Sequence, residues 1–190
     1  MGHLIVEQVV TVDGYAEDAD GGISFFGAMD DLAPNEPGQL ELLARVDAIL
    51  LGRRTYGMFA DYWPKADPAV EPVAEPIARL PKYVVSNTLD SAPWGDGAIE
   101  VLRGDAKETV AALKDRAGSI IVWGSLTLTD ALFGAGLVDE LRLRVVPAVI
   151  GAGRSFTPGD LGERRLRLRL RLDDVVTYPG GLVTMQYAVR

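Results

Sequence analysis

Five short runs rich in β-branched residues recur along the chain: LIVEQVVT (4–11), DAILLG (47–52), KYVVSN (82–87), SIIVWG (119–124) and ELRLRVVPAVIG (140–151). Helix-patterned stretches separate most of them. GQLELLARV (38–46) carries Leu40, Leu43 and Ala44 at helical spacing, and RRTYGMFADYW follows Gly52 directly. Asp105 and Glu108 have the spacing of a capping box ahead of Val110, Leu113 and Ala117, and SLTLTDALFGAG reads as a helix stopped by glycine. EPVAEPIARLP is punctuated by proline and reads as an irregular helix or loop. Strands that alternate with helices are joined by crossovers, which makes them parallel and covers both faces of their sheet. The pattern therefore specifies an α/β fold around a mostly parallel sheet.

The carboxyl end breaks the pattern. In RRLRLRLRLDDVVTY, Leu166, Leu168, Leu170 and Leu172 alternate strictly with Arg165, Arg167, Arg169 and Arg171, and GGLVTMQYAV follows as a hairpin partner. Strict alternation predicts an antiparallel piece with one buried and one wet face, its arginines solvated and discouraging edge pairing. At the other end, Asp13-Gly14 turns the first strand into a polar, glycine-containing segment reaching about Pro37, long enough to be a functional loop.

Composition then removes whole classes of chemistry. The 190 residues suffice for one well-buried domain, and no linker or repeat divides them. No cysteine is present and His3 is the only histidine, so thiol nucleophiles, thiolate metal sites, serine-histidine triads and histidine-based zinc sites are not expected, and no metal is assigned. No apolar run approaches a membrane span, no signal peptide is legible, and a soluble cytoplasmic protein is expected. The net charge of −8 argues against nucleic acid or an anionic membrane as partner. The first 44 residues contain no lysine or arginine.

What remains is the chemistry at strand ends. Gly52, Arg53, Arg54 and Thr55 place backbone N–H groups, a hydroxyl and two guanidiniums where a strand gives way to a helix, an arrangement suited to phosphate. Ser86, Asn87 and Thr88 end another strand, and Gly124 and Ser125 a third. Sheets of this kind bind ligands at the carboxyl ends of their strands, so three such ends point to a nucleotide. Neither G-x-G-x-x-G nor G-x-x-x-x-G-K-[ST] is present, and Gly151-Ala152-Gly153 reads as a turn.

The segments VVTVDGYAED, LLGRRTYGMFADYWP, LPKYVVSNTLD and IIVWGSLTLTDALFGAGLVDELRLRVVPAVIGAGRSF, in this order over nearly the whole chain, resemble the dihydrofolate-reductase-like family that includes the reductase domain of bacterial riboflavin biosynthesis, the RibD C-terminal type. The resemblance implies a single three-layer α/β/α domain, with a mainly parallel central sheet of about eight strands and an antiparallel C-terminal hairpin. It implies bound NADPH and hydride transfer to a pteridine-like or aminopyrimidine heterocycle, as in a 5-amino-6-(5-phosphoribosylamino)uracil reductase. A true dihydrofolate reductase and a noncatalytic NADP(H)-binding sensor are the alternatives.

By position, Gly52, Arg53, Arg54 and Thr55 would hold the cofactor phosphates. Ser86 and Asn87 would lie near the 2′-phosphate, Gly124 and Ser125 at the pyrophosphate, and Val9 to Val12, Val10 among them, beside the nicotinamide, with Val122 a further cofactor-binding candidate. Asn87 stands where many relatives have arginine, so either Arg53 or Arg54 supplies the NADPH preference or that preference is weak. An acid on the first helix grips the ring in dihydrofolate reductase; Asp30 and Asp31 are the nearest here, with Asp13 as rival, and these three are the candidate catalytic residues. Phe25, Phe26, Tyr56 and Trp63 are candidate walls for a flat ring. The acidic first 44 residues disfavour folate or a phosphorylated substrate unless Lys65, Arg79 or Arg154 reaches in. They favour a neutral or cationic heterocycle. A homodimer is expected, with the Leu/Arg strand able to contribute its surface.

Overall fold

The computed structural model describes residues 2–29, 36–157 and 168–190. Its central strand, β1 (His3–Thr11), is buried from Leu4 to Thr11 except at Val9, as expected of a strand covered on both faces. The others are β2 (Tyr15–Asp18), β3 (Ala48–Gly52), β4 (Lys82–Val85), β5 (Pro93–Trp94), β6 (Gly97–Ala98), β7 (Glu100–Leu102), β8 (Ser119–Trp123), β9 (Glu140–Val146), β10 (Gly153–Ser155), β11 (Leu170–Thr177) and β12 (Val183–Val189). Eight form one sheet in the order β11-β12-β9-β1-β8-β3-β4-β7. All neighbours from β9 to β7 are parallel, whereas β12 runs antiparallel to both β9 and β11.

The period of two in each strand sorts side chains into two layers. Ile5, Ile49, Leu51 and Ile121 pack with residues of α1 (Glu36–Ala44), α2 (Arg53–Tyr62) and α3 (Ala74–Arg79). Leu4, Val6, Leu50, Ile120 and Val122 pack on the opposite face with α4 (Ala106–Arg116) and α5 (Leu126–Gly134). The α/β/α expectation holds, with eight strands in the central sheet. Asp105 caps α4 as its spacing predicts, its carboxylate accepting from the N–H groups of Lys107 and Glu108 at 2.9 and 3.2 Å, an arrangement worth about 1 kcal/mol.

Several expectations are corrected. The first helix begins at Glu36, two residues ahead of the periodic stretch, and the proline-punctuated segment contains the regular helix α3. The strand expected over 140–151 ends at Val146, because Pro147 has no N–H to continue the ladder. The segment after Asp13 contains β2, paired antiparallel with β10, and a 3₁₀ turn, Ser24–Met29. Asp18 organises it: its carboxylate accepts from the N–H groups of Asp20, Gly22 and Ser24, and these bonds, Gly22's first, hold its pKa below the ordinary range. The C-terminal hairpin forms, but every residue of β11 is exposed, Leu170 and Leu172 included. Among the described residues no layer covers this edge strand, so it buries neither face whatever its alternation, whereas Leu168 just ahead of it is half-buried against the α4–α5 core. Leu166, Arg165 and Arg167 lie outside the described residues.

Candidate active site

A cavity of about 490 Å³ lies beside β1, against the carboxyl end of β8 and one side of α2. Glu7, Gln8 and Val9 come to it from β1, Trp123 and Gly124 from the end of β8, and Thr55, Met58, Phe59 and Tyr62 from α2. Gln39 and Leu43 of α1 and Phe26 of the 3₁₀ turn also line it. Its aromatic wall is continuous: the Phe59 ring centroid is 5.6 Å from that of Trp123 and 6.0 Å from that of Trp63. A volume within the usual ligand range and an apolar wall with few polar groups suit a flat ring.

The cavity's polar lining comprises Glu7, Gln8, Gln39, Thr55, Tyr62 and Arg144, and Glu7 belongs to a row of side chains dictated by register. Glu7 pairs with Trp123 of β8 on one side and Arg142 of β9 on the other, so the three side chains share a face. Glu7 is 2% exposed. Its Oε1 accepts from Trp123 Nε1 at 2.9 Å, and Gln39 Nε2 donates to both carboxylate oxygens at 3.1 and 3.4 Å. Arg142 Nε lies 3.1 Å from Oε2, an ion contact outside hydrogen-bond geometry. A buried carboxylate persists only with such company.

At the neighbouring strand ends, Gly52 and Ser125 are tied together. The Gly52 N–H donates to Ser125 Oγ at 2.8 Å, the Ser125 hydroxyl donates to the Trp123 carbonyl, and the Ser125 N–H donates to Thr55 Oγ1 at 3.0 Å. Gly124 and Ser125 both adopt left-handed backbone, with φ of 52° and 55°. A Cβ on Gly124 would also meet Thr55 Oγ1 at 3.4 Å. For serine this backbone costs about 1–2 kcal/mol, offset here by the hydrogen bonds that fix the turn. These groups hold the ends of β3 and β8 together and bring the starts of α2 and α5 side by side, and no side chain caps either helix. Arg53 and Arg54 occupy the first turn of α2. Arg53 Nη1 donates to Thr88 Oγ1 at 3.0 Å; Arg54 reaches Glu17 Oε2 at 3.3 Å and the Gly21 carbonyl at 3.0 Å.

Other predicted residues take different places. Ser86 Oγ accepts from the N–H groups of Thr88 and Leu89, shaping the turn after β4. The Asn87 amide bonds both backbone groups of Gly104, at 2.7 and 3.1 Å. Val10 and Val122 are core residues on the α4–α5 face, and it is Val9 that lines the cavity. Asp13 accepts from the N–H groups of Gly151 and Ile150, which ties its turn to the segment after β9. Its pKa is held below the ordinary range, first by the Thr11 hydroxyl and then by these N–H groups, and it does not line the cavity.

Asp30 and Asp31 lie outside the described residues. Phe26 and Trp63 line the cavity, whereas Phe25 packs with Val146 and Leu182, and the Tyr56 hydroxyl donates to the Pro93 carbonyl. Among the suggested basic residues, Arg154 pairs with Asp130 and Arg79 with Glu75, and neither they nor Lys65 line the cavity. Glu7 and Gln39 escape a sequence reading. The available signal is the polar pair Glu7-Gln8 inside a run otherwise fit for complete burial.

An eight-stranded, mainly parallel sheet with an antiparallel carboxyl-terminal hairpin and a ligand cavity at its strand ends defines the dihydrofolate-reductase-like class. Solved structures share the fold. A putative riboflavin biosynthesis protein from Shewanella sp. PV-4 superposes with a TM-score of 0.78 at 21% identity over 99% of both chains. Dihydrofolate reductase from Enterococcus faecalis, complexed with NADP(H), superposes with a TM-score of 0.59 at 13% identity over 100% of this chain and 97% of that one. Within this class the chain belongs to the RibD C-terminal domain family, whose model matches residues 2–184. It is 28% identical to YyaP of Bacillus subtilis (strain 168), itself uncharacterized, over 97% of this chain and 93% of the relative.

Proposed function

We propose that the protein is an NADPH-dependent reductase that transfers a hydride to a pteridine-like or aminopyrimidine heterocycle. One observation carries this reading: the aromatic-walled cavity and the arginine-bearing start of α2 are continuous through Thr55 and Met58, which line the cavity within two turns of Arg53 and Arg54. A flat ring and a set of phosphates thus have adjoining places. The residues fit the cofactor. The start of α2 has no side-chain cap, and its N–H groups and two guanidiniums suit phosphate oxygens. The Arg54–Glu17 pair is a surface contact, with the arginine side chain 70% exposed, and is worth at most about 1 kcal/mol, so a phosphate can displace it.

Bound NADPH supplies the hydride. The chain orients the ring against Phe59, Trp63 and Trp123. Reduction of a C=N bond also consumes a proton. The one carboxylate among the described cavity residues, Glu7, is held by donors, so an ordered water is the proton's route to the ring.

Calorimetric titration with NADPH and NADH, repeated on Arg53→Ala and Arg54→Ala, tests the proposal. Micromolar NADPH binding is expected, weakened by about 1–3 kcal/mol in either variant. Absence of binding by either nucleotide overturns it. A strong preference for a phosphorylated over a dephosphorylated substrate would contradict the expectation of a neutral or cationic ring.

A further inference from the structure

Gln39 lines the cavity from α1 and is 8% exposed. Its Nε2 is committed to both oxygens of Glu7, whereas its Oε1 is buried and has no hydrogen-bond partner among the described residues. The orientation of an amide is often ambiguous, but here chemistry fixes it. A carboxylate that receives Trp123 Nε1, and against which Arg142 Nε also lies, has only acceptor atoms to offer, so the Gln39 NH₂ must face it. Flipping the amide would set oxygen against oxygen. The carbonyl is thereby turned away from Glu7 and is a buried, unmet acceptor on a residue that lines the aromatic-walled cavity.

We infer that Gln39 Oε1 selects the ring by accepting a hydrogen bond from one of its N–H groups, and that Glu7 is the positioning residue that fixes the amide in this sense. The inference rests on the reading of the cavity as a heterocycle site and adds its selection rule. A buried acceptor left unmatched is costly, and a ligand that supplies the donor recovers that cost. A neutral ring with a lactam N–H or an exocyclic amine meets the requirement. A ring offering only acceptors there, or an anionic group beside Glu7, does not. Because Nε2 is already used, the contact is a single N–H···O bond and not the two-point grip a carboxylate would give an amidine-like edge.

Lumazine and 1,3-dimethyllumazine share a ring and differ in the presence of ring N–H donors, so they are the probes. Each is titrated into the parent protein, Gln39→Met and Glu7→Gln, alongside NADPH, with thermal melts to confirm folding. The parent should bind lumazine at least about tenfold more tightly than the dimethyl form. In Gln39→Met, which keeps the side-chain volume, that preference should fall about tenfold through weaker lumazine binding, with dimethyllumazine and NADPH binding unchanged. Glu7→Gln should erode the preference although Gln39 is intact, an effect that loss of packing alone would not produce.

A preference that survives Gln39→Met overturns the inference, as does a parent that discriminates neither probe or binds neither. Should Glu7→Gln fail to fold, Gln39→Met alone decides. Discrimination without NADPH binding would refute the reductase reading and leave this inference standing; NADPH binding without discrimination would do the reverse.

Discussion

Replacing Glu7 by glutamine changes one oxygen to an NH₂ and tests whether the buried row is electrostatic. Both carboxylate oxygens are engaged, Oε1 by Trp123 and Gln39, Oε2 by Gln39 and Arg142. Either orientation of the new amide therefore sets a donor against a donor. Arg142 also loses its counter-charge while only 7% exposed, keeping a 3.3 Å bond to the Gly38 carbonyl. Breaking a buried pair by removing one charge costs about 3–5 kcal/mol, a large share of the roughly 5–15 kcal/mol available to a domain. For a chain of this length the midpoint of thermal unfolding should drop by about 6–20 °C. Urea unfolding followed by tryptophan fluorescence should show a lower midpoint with an unchanged slope. Replacing both partners with apolar residues, Glu7→Leu with Arg142→Met, should be less harmful than either single change. A Glu7→Gln protein within about 1 kcal/mol of the parent would refute the argument.

Burial lowers the Lys82 pKa to about 8, although its ammonium donates to the carbonyls of Ala78 and Leu80 and lies 5.0 Å from the Trp94 ring centroid. The penalty for its charge is full below pH 8 and vanishes as pH rises toward the unfolded value, so stability should rise by about 3 kcal/mol over that window relative to Lys82→Met; parallel profiles would contradict this. Lys114 is 3% exposed and donates to the Leu137 carbonyl at 2.7 Å and to Asp139 at 2.6 Å, so Lys114→Met should cost about 2–4 kcal/mol in urea unfolding, and a neutral result would mean that the carboxylate rehydrates freely. We propose that the exposed Leu170, Leu172, Val175 and Val176 of β11 meet a second copy of the chain: light scattering should give about twice 20.4 kDa, and a monomer mass would remove the proposal.

The layered fold is legible because its strands are runs that only burial on both faces explains, and GRRTY marks a strand end by chemistry as well as by pattern. The cavity is less so. Glu7 hides inside an apolar run, and its partners Trp123 and Arg142 come from strands 116 and 135 residues away in sequence, brought alongside by a strand order that periodicity does not encode. Gln39 occupies an ordinary helical position and gains meaning only from the carboxylate opposite. The alternation around Leu170 and Leu172 correctly indicates a strand, yet burial depends on what lies over it, and nothing in a period of two reports the edge of a sheet. Short pieces such as β2, β7 and β10 hold too few residues for any period to show.

The row Trp123–Glu7–Arg142 joins two residues of the cavity lining, Trp123 and Glu7, to a third on the neighbouring strand, and so spans three adjoining central strands. A slip of β8 or β9 by one residue would dissolve the ligand site and turn core side chains to the wrong layer in the same step. Recognition and folding therefore share one cooperative unit, and the amides of these three residues should exchange with solvent only when the whole domain opens. The segment from Tyr15 to Met29 meets the body through the β2–β10 pairing and Arg54 and contains no residue of the row, so its opening should cost less than that of the row and leave the row intact.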